Sequence, residues 1–377
     1  MMRITCGRGC SPIEGLRPLP HVLTLLLVMF LSGGCGERGW SGEFERWPMA
    51  IAGHESARVV AYATGPSTIT VAPSAVARFN APILCLAPSP REGFLIFLPQ
   101  TLVNLQHRDG VWGSRESLSS GHTVRQALLL KSGRLALLTA GDSQSHPVEP
   151  PAEAPPWLLG GTINLAWLEN DRLVIGAPEL EADLNAYRLK AGRFAGEDEN
   201  LLVFVYTRAP FDDVMRRRPW IYRVIEGDNA LPVLEPRWRG SSFSRPFRDA
   251  IFGDFTGEGE GEIAALEVAR DGGRLLTAYR FKGFGLEGLA PGTALPDVED
   301  RVEIVRRGDG LADELVVRAN DGRFLVFEFD AEAEMLRQTR VIEGPKTVLG
   351  WMIDPASEGE RGSVSCVLPG GGLWRDG

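Results

Sequence analysis

The chain has 377 residues, a formal net charge of −9 and 44% hydrophobic residues, so it is neither an integral membrane bundle nor a disordered chain. Its five Cys are too few for a disulfide scaffold of this length. The acidic balance argues against a general nucleic-acid binder, and no nucleic acid is expected as a partner. The 44 Gly and 26 Pro indicate many turns, which favours one large all-β domain.

The N-terminus has the organisation of a signal peptide. Arg3, Arg8 and Arg17 precede or flank the start of a mainly apolar run over residues 22–31. As a helix this run would rise about 15 Å, half of a bilayer core, which suits a signal sequence but not a spanning helix. Residues 1–34 are therefore expected to be a signal peptide. No later segment approaches about 18 consecutive apolar residues, so no spanning helix is expected.

Small residues then lead to a cysteine, in the sequence Leu31-Ser-Gly-Gly-Cys35. This resembles the lipobox of bacterial lipoproteins, in which the Cys becomes the first mature residue and carries lipid. The resemblance implies lipidation of Cys35 and attachment to the membrane through that lipid; ordinary secretion with a chance Cys is the alternative. Gly36 stands where an Asp would hold an enterobacterial lipoprotein at the inner membrane, which implies the outer membrane of the cell envelope, on its periplasmic or surface face. Residues 35–56 are expected to form a tether.

From residue 57 to 377 the chain alternates polar turns with short apolar runs, which is typical of β-strands. The seven strongest runs are Phe94–Leu98, Leu135–Thr139, Leu173–Ala177, Leu201–Val205, Ile263–Glu267, Leu315–Ala319 and Val364–Leu368. Their mean spacing of about 45 residues matches the period of propeller blades with four strands each. We therefore expect an all-β fold, a β-propeller over residues 57–377 with seven blades. The spacings on either side of Leu201–Val205 are irregular, so six and eight blades are the alternatives.

One glycine-rich acidic loop is the most distinctive motif of the body. Residues 252–263 read Phe-Gly-Asp-Phe-Thr-Gly-Glu-Gly-Glu-Gly-Glu-Ile, and shortened copies occupy 308–317 and 354–360. This resembles the FG-GAP and VCBS repeats of β-propellers, whose blades carry a Gly-Asp-Phe-Asp-Gly-Asp-Gly loop before a strand. The resemblance implies a Ca²⁺ site, since alternating acids on such a loop can supply the six to eight oxygens that the ion prefers. Its ligands would be Asp254, Thr256, Glu258, Glu260 and Glu262; a solvated acidic turn is the alternative.

Two features bear on how the first and last parts of the domain meet. The final apolar run is followed by only a few residues, so residues 57–72 are expected to add the missing strand and close the ring. Cys85 and Cys366 each lie inside an apolar strand pattern. They either pair in an oxidising compartment or remain two separate buried thiols.

Two shorter motifs have an ordinary and a functional interpretation. Arg216–Arg218, beside Trp220, is a cationic loop that could meet an anionic surface such as lipopolysaccharide or lipid headgroups, or could simply be solvated. Gly283–Gly288 fits the G-x-G-x-x-G pattern of phosphate-binding loops. No helix can begin cleanly after it, so it is expected to be a turn.

The five His show none of the spacings of zinc or hydrolase motifs, and no catalytic residue is expected. We therefore expect a non-catalytic binding or scaffold propeller whose partner is an envelope protein or a polysaccharide. One alternative is a propeller enzyme, a polysaccharide lyase or hydrolase, acting in the envelope. Another is an outer-membrane assembly factor, because Asp321–Leu325 resembles the quinoprotein-like repeats of a lipoprotein propeller in that machinery.

Overall fold

The computed structural model describes residues 27–28, 49–54, 57–65, 68–71 and 75–79 and most of the chain from 83 to 376. Within 83–376 the undescribed residues are 90–92, 100, 109–110, 118–122, 141–160, 170–171, 181–183, 210–211, 228–230, 241, 308–310, 355–361 and 370–372. Side chains are described from residue 79 onwards, outside those gaps and outside 107–117, 198, 209–213 and 354. The expected lipidation site Cys35 lies outside the described residues, as do residues 355–360 of the third loop copy and all of the expected signal peptide except a short strand.

The described residues form 29 strands arranged in meandering antiparallel sheets. The first sheet contains β1 (Leu27–Val28), β2 (Met49–His54), β3 (Ala57–Gly65), β4 (Thr68–Val71) and β5 (Ala75–Arg78). Blade 1 contains β6 (Cys85–Pro88), β7 (Phe94–Leu98), β8 (Thr101–Arg108) and β9 (Val111–Ser117). Blade 2 contains β10 (Val124–Leu129), β11 (Leu135–Thr139), β12 (Thr162–Glu169) and β13 (Arg172–Pro178).

The remaining blades repeat this plan. Blade 3 contains β14 (Ala186–Phe194), β15 (Glu197–Ala209), β16 (Asp212–Glu226) and β17 (Pro232–Arg239). Blade 4 contains β18 (Phe247–Gly253), β19 (Glu262–Val268), β20 (Arg274–Phe281) and two short outer strands, β21 (Leu286–Gly288) and β22 (Thr293–Leu295). Blade 5 contains β23 (Val298–Val305), β24 (Glu314–Ala319), β25 (Phe324–Asp330) and β26 (Met335–Ile342). Blade 6 contains β27 (Gly350–Asp354), β28 (Ser363–Val367) and β29 (Leu373–Arg375).

The sheets stand around an axis, as in a β-propeller. Each blade's first strand contacts the first strand of the next blade, so these strands form the inner wall: β6, β10, β14, β18, β23 and β27. Strand β2 of the first sheet lies beside both β6 and β27, between the first and the last of the six blades. The expected all-β propeller is confirmed. No helix among the described residues is long and apolar enough to cross a bilayer.

The seven apolar runs lie in six blades rather than the expected seven. All seven form strands, but Leu173–Ala177 falls in β13, the outer strand of blade 2, whose second strand already contains Leu135–Thr139. The other runs are each the second strand of a separate blade. The expected number of blades was one too high because an outer strand with a long apolar run resembles a second strand in sequence.

The expected closure by residues 57–72 is not what the strand pairing gives. Strand β3 pairs with β2 and β4 inside the first sheet, and β29 pairs only with β28 among the described strands. The strand Met49–His54, in the segment expected to be a tether, is part of the same sheet. The outer edge of blade 6 therefore ends at β29 in the part of the chain that the structure describes.

The hydrophobic core consists of layers between successive blades. Side chains alternate along the middle strands, so that Leu201 and Val203 of β15 pack toward blade 2 while Leu202 and Phe204 pack toward blade 4. Each middle strand is therefore apolar on both faces. This explains why the second strands are uninterrupted apolar runs rather than alternating ones.

Candidate functional site

A cleft of about 460 Å³ opens between β17 of blade 3 and the outer part of blade 4. Its aromatic lining residues are Trp238, Phe243 and Tyr279, and its polar lining residues are Ser242, Ser244, Arg245 and Thr277. The volume lies in the range of small-molecule sites, roughly 300–1,000 Å³. The cleft lies between two blades because the outer strand of blade 4 is split into β21 and β22, which leaves its edge incomplete.

Stacked rings form the wall of this cleft. The rings of Trp238 and Phe243 are stacked with centroids 6.4 Å apart, and those of Phe243 and Tyr279 with centroids 5.3 Å apart. Phe247 meets Phe243 edge-on at 5.0 Å. Phe243 and Tyr279 are buried, while Trp238 is partly exposed and lines the cleft.

The floor of the cleft is organised by one buried carboxylate, Glu267 of β19. It accepts hydrogen bonds from Tyr279 OH at 2.6 Å, Thr277 Oγ1 at 2.9 Å and both Ser244 Oγ and the Arg245 backbone N–H at 3.0 Å. The Arg245 guanidinium approaches the same carboxylate at 3.5 Å. Burial, together with the hydrogen bond to Glu267, raises the pKa of Tyr279 to about 12. Tyr279 therefore stays protonated at neutral pH, and its hydroxyl donates a hydrogen bond to Glu267.

A second group of polar residues lies on the inner wall of blades 3 to 5. We call it the inner-wall cluster: Arg188 and Lys190 of β14, Asp249 of β18, and Arg301 and Glu303 of β23. Arg188 Nη1 lies 2.8 Å from Asp249 Oδ1, and Lys190 Nζ lies 2.9 Å from Glu303 Oε1. Arg301 Nε donates to the same oxygen of Glu303 at 2.8 Å. One chain of ion pairs thus joins three successive inner strands.

The cluster also reaches blade 6 and is tied to the backbone. Arg301 lies over the ring of Trp351, 4.5 Å from its centroid, and donates Nη1 to the Trp351 carbonyl at 2.6 Å. The backbone N–H of Val302 donates to Asp249 Oδ2 at 3.0 Å. Burial raises the pKa of Glu303, but the charges and hydrogen bonds of Lys190 and Arg301 outweigh it and lower the value to about 2.

The acidic loop between β18 and β19 holds three of the five expected calcium ligands around a cation of the protein itself, Arg280. Arg280 Nη2 lies 2.7 Å from Glu258 Oε2, 3.2 Å from Thr256 Oγ1 and 3.3 Å from Glu262 Oε1. Asp254 is turned away and accepts from the Gly259 N–H at 2.9 Å, and Glu260 is exposed. Thr256, Glu258 and Glu262 do not fit a calcium ion well, because the guanidinium fills the space between their oxygens.

Metal binding at this loop stays a prediction of the family resemblance. Among the described side chains, no three His, Cys, Asp or Glu are grouped in a way that could hold a metal ion. Glu262 is fully buried and accepts from the Phe255 N–H at 2.8 Å and from Thr256 Oγ1 at 2.7 Å, so its oxygens stabilise the loop. The cation that sequence reasoning missed, Arg280, lies on the neighbouring strand β20.

The same loop connects three blades. Toward blade 3, Gly261 O accepts from the Ala195 N–H at 3.2 Å. Toward blade 5, the Asp313 N–H donates to Asp254 O at 2.7 Å, and the Asp254 N–H donates to Asp313 Oδ2 at 2.9 Å. Burial raises the pKa of Asp313. In this chain the repeat-like loop therefore joins neighbouring blades.

The remaining sequence motifs have structural positions. Cys85 and Cys366 are separate, buried and free, and burial raises the pKa of Cys366 to about 12. Arg218 is 1% exposed and donates Nε to the Thr207 carbonyl at 3.0 Å, so the three arginines are not a uniformly solvated tip. Of the segment Gly283–Gly288, residues 283–285 lie in the expected turn after β20 and residues 286–288 form β21.

Neither the cleft nor the inner-wall cluster was predicted from the sequence. Their members come from short stretches that lie far apart in the chain, residues 188–190, 249 and 301–303 for the cluster and residues 238–245, 267 and 277–279 for the cleft, and no local spacing marks them. The only available signal was a charged residue within an apolar strand, such as Glu267 or Asp249, since such residues are rarely fully buried unless paired.

Comparison with known proteins finds similar solved structures at low sequence identity. No family model and no curated protein matches the sequence. Among solved structures, the periplasmic gluconolactonase PpgL of Pseudomonas aeruginosa aligns with a TM-score of 0.47 and 13% identity, over 84% of this chain and 90% of that chain. Sqt1 of Saccharomyces cerevisiae aligns with a TM-score of 0.44 and 10% identity, over 76% and 70%. The Dos1 propeller aligns with a TM-score of 0.44 and 9% identity, over 77% and 65%.

Proposed function

We propose that this chain is a cell-envelope lipoprotein, anchored through a lipid on Cys35, whose β-propeller binds a polysaccharide without converting it. The observation that carries the binding function is the aromatic cleft between blades 3 and 4, whose floor is held in place by hydrogen bonds to the buried Glu267. The anchor rests on the lipobox-like sequence alone, and Gly36 in place of an Asp supports a location at the outer membrane.

A sugar ring suits this cleft because it has an apolar C–H face and an edge of hydroxyl groups. The half-exposed ring of Trp238 offers a flat surface for the C–H face. Ser244 and Arg245, both exposed at the cleft, offer donors and acceptors for the hydroxyls. A volume of about 460 Å³ accommodates one or two sugar units of a longer chain.

The state of the cleft floor favours binding over catalysis. A nucleophilic hydroxyl needs a base that is free to take its proton. Ser244 Oγ and Tyr279 OH both donate to Glu267, whose oxygens also accept from Thr277 and the Arg245 backbone. These contacts fix the side chains before a ligand arrives, which lowers the entropic cost of binding.

Calorimetric titration of the purified protein with envelope polysaccharides and their oligosaccharides tests this function. We expect binding that Trp238→Ala weakens by at least tenfold and that Trp167→Ala, a half-exposed Trp on blade 2, leaves unchanged. Absence of binding to every glycan, together with recovery of a specific envelope protein in a pull-down, would move the function to protein scaffolding.

A second candidate function, a propeller enzyme acting on polysaccharide, is favoured by the inner-wall cluster. There Arg188, Lys190 and Arg301 converge with two carboxylates, as the active site of such an enzyme would require. Release of new reducing or unsaturated chain ends from a polysaccharide would establish turnover. Loss of that activity in Glu303→Gln, but not in Trp167→Ala, would place it at the inner wall.

The lipid anchor has its own test. We expect palmitate to label the wild-type chain and not Cys35→Ser, and globomycin to block the processing of the wild type. Secretion of an unlabelled chain that is cut elsewhere would contradict the anchor and leave the cleft function intact.

A further inference from the structure

We infer that the inner-wall cluster is a binding site for a small oxyanion, a carboxylate or a phosphate group, held by Arg188, Lys190 and Arg301. This site lies at the first strands of blades 3 and 5, apart from the cleft residues of blades 3 and 4. It is independent of the polysaccharide proposed for the cleft.

The balance of charge in the cluster is positive, although the chain as a whole is acidic. Three cations meet two carboxylates, Asp249 and Glu303. The two arginines are the most exposed members of the cluster: Arg188 is 24% and Arg301 25% exposed, Glu303 is 19% and Lys190 17% exposed, and Asp249 is fully buried. A ligand that enters along the inner wall therefore meets the two guanidinium groups before it meets Asp249.

The two arginines keep donors that the cluster does not use, while the Lys190 ammonium faces Glu303, Asp249 and the Val302 carbonyl. Among contacts within the described part of the chain, Arg188 donates from Nη1 to Asp249. Arg301 donates from Nε to Glu303 and from Nη1 to the Trp351 carbonyl. Nη2 of both side chains, and Nε of Arg188, remain for a ligand. Guanidinium donors bind carboxylate and phosphate oxygens in strong, charge-assisted hydrogen bonds.

The same contacts hold the cations in place before a ligand binds. Asp249 is fixed by the Val302 N–H and orients Arg188. Arg301 is fixed by its stacking on Trp351, which is fully buried. Because the acids are already engaged, Asp249 through both oxygens and Glu303 through Oε1, their repulsion of an incoming anion is reduced.

Calorimetric titration with inorganic phosphate and with citrate, at constant ionic strength set with NaCl, tests the site on the full chain. We expect at least one of the two anions to bind, and Lys190→Gln and Arg301→Gln each to weaken that binding by about tenfold. Lys190→Gln leaves Arg301 paired with Glu303. Arg323→Gln is the matched control, because Arg323 pairs only with Asp321 at an exposed turn of blade 5 among its described contacts.

Binding of phosphate alone would identify a phosphoryl ligand, and binding of citrate alone a carboxylate. Trp238→Ala should keep the anion binding, which separates this site from the cleft. The site would be refuted by the absence of heat with both anions up to about 10 mM, or by equal weakening in Arg323→Gln. If the cluster variants do not fold, the test uses the melting temperature of the wild type. Phosphate or citrate must raise that temperature above its value in sodium chloride of equal ionic strength.

Discussion

Substitution of Glu267 by Gln is the sharpest test of how the cleft is built. The carboxylate is fully buried and accepts hydrogen bonds from three hydroxyls and one backbone N–H. Gln keeps the shape but replaces one oxygen by an NH₂ group and removes the charge. In the wild type, Thr277 Oγ1 and the Arg245 guanidinium both face an oxygen that accepts. In the variant both face the NH₂ group, which can only donate.

The expected loss of stability follows from those contacts. A hydrogen bond to a charged group contributes about 1.5–3 kcal/mol, and the hydrogen bond from Thr277 at 2.9 Å is lost or reversed. The approach of Arg245 at 3.5 Å adds less, because its side chain is 43% exposed and solvent screens the interaction. We expect Glu267→Gln to lower the free energy of unfolding by about 2–4 kcal/mol.

Denaturant unfolding measures the stability, and an NMR titration of labelled tyrosines measures the second effect. Because the hydrogen bond to the charged Glu267 raises the pKa of Tyr279, that pKa should fall below about 12 in the variant. Glu287→Gln is the control, since Glu287 and its partner Lys282 are both exposed, and a change within about 0.5 kcal/mol is expected. Equal stability of the two variants would refute the role of Glu267 as the hub of the cleft.

Three further outcomes follow from buried charges and thiols. The pKa of Glu303 is lowered to about 2 from an ordinary 4.5. Its ionised form therefore contributes about 3 kcal/mol to the free energy of unfolding, and this contribution is complete above pH 4.5 and lost as the pH falls toward 2. Acid unfolding monitored by circular dichroism should be less steep in Glu303→Gln. Arg280→Gln should lower the free energy of unfolding, measured with denaturant, by about 1–2 kcal/mol. Added calcium should raise the melting temperature of this variant more than that of the wild type, because the acidic side chains lose the guanidinium that lies between them. Cys85 and Cys366 should not react with a thiol reagent at neutral pH until denaturant is added, since burial raises both pKa values; rapid labelling of either in the native protein would contradict this.

The strand content could be predicted from the sequence because each middle strand is apolar on both faces, and such runs are easily recognised. The number of blades could not, because blade membership depends on pairing. Leu173–Ala177 has the same composition as a middle strand but pairs only with β12. Nothing local to those residues reveals that their other side is an edge.

The acidic loop was recognised by its composition, yet its chemistry depended on a residue 18 positions beyond Glu262. Arg280 reaches the loop because β19 and β20 pair antiparallel, which places Tyr279 opposite Ile263. The cleft and the inner-wall cluster are harder still to predict, since each combines residues from different blades. Such sites follow from the register of paired strands and from the stacking of blades, and one sequence without its fold specifies neither.

The role of the acidic loop as a connector between blades can be tested with a single methyl group. Gly261 has a φ of +74°, and a Cβ there would lie 2.6 Å from the Arg193 carbonyl oxygen of blade 3. Gly283 has nearly the same φ, +71°, but a Cβ there meets nothing within 4 Å. Ala at either position incurs the cost of a left-handed backbone, about 1–2 kcal/mol.

Only Gly261→Ala must also separate the loop from blade 3, which adds about 1–3 kcal/mol of overpacking and weakens the hydrogen bond from Ala195. We therefore expect Gly261→Ala to be less stable than Gly283→Ala by at least about 1 kcal/mol in denaturant unfolding. The difference between the two variants cancels the shared backbone cost and isolates the contact between blades. If both variants lose the same stability, the close approach of the loop to blade 3 does not stabilise the ring.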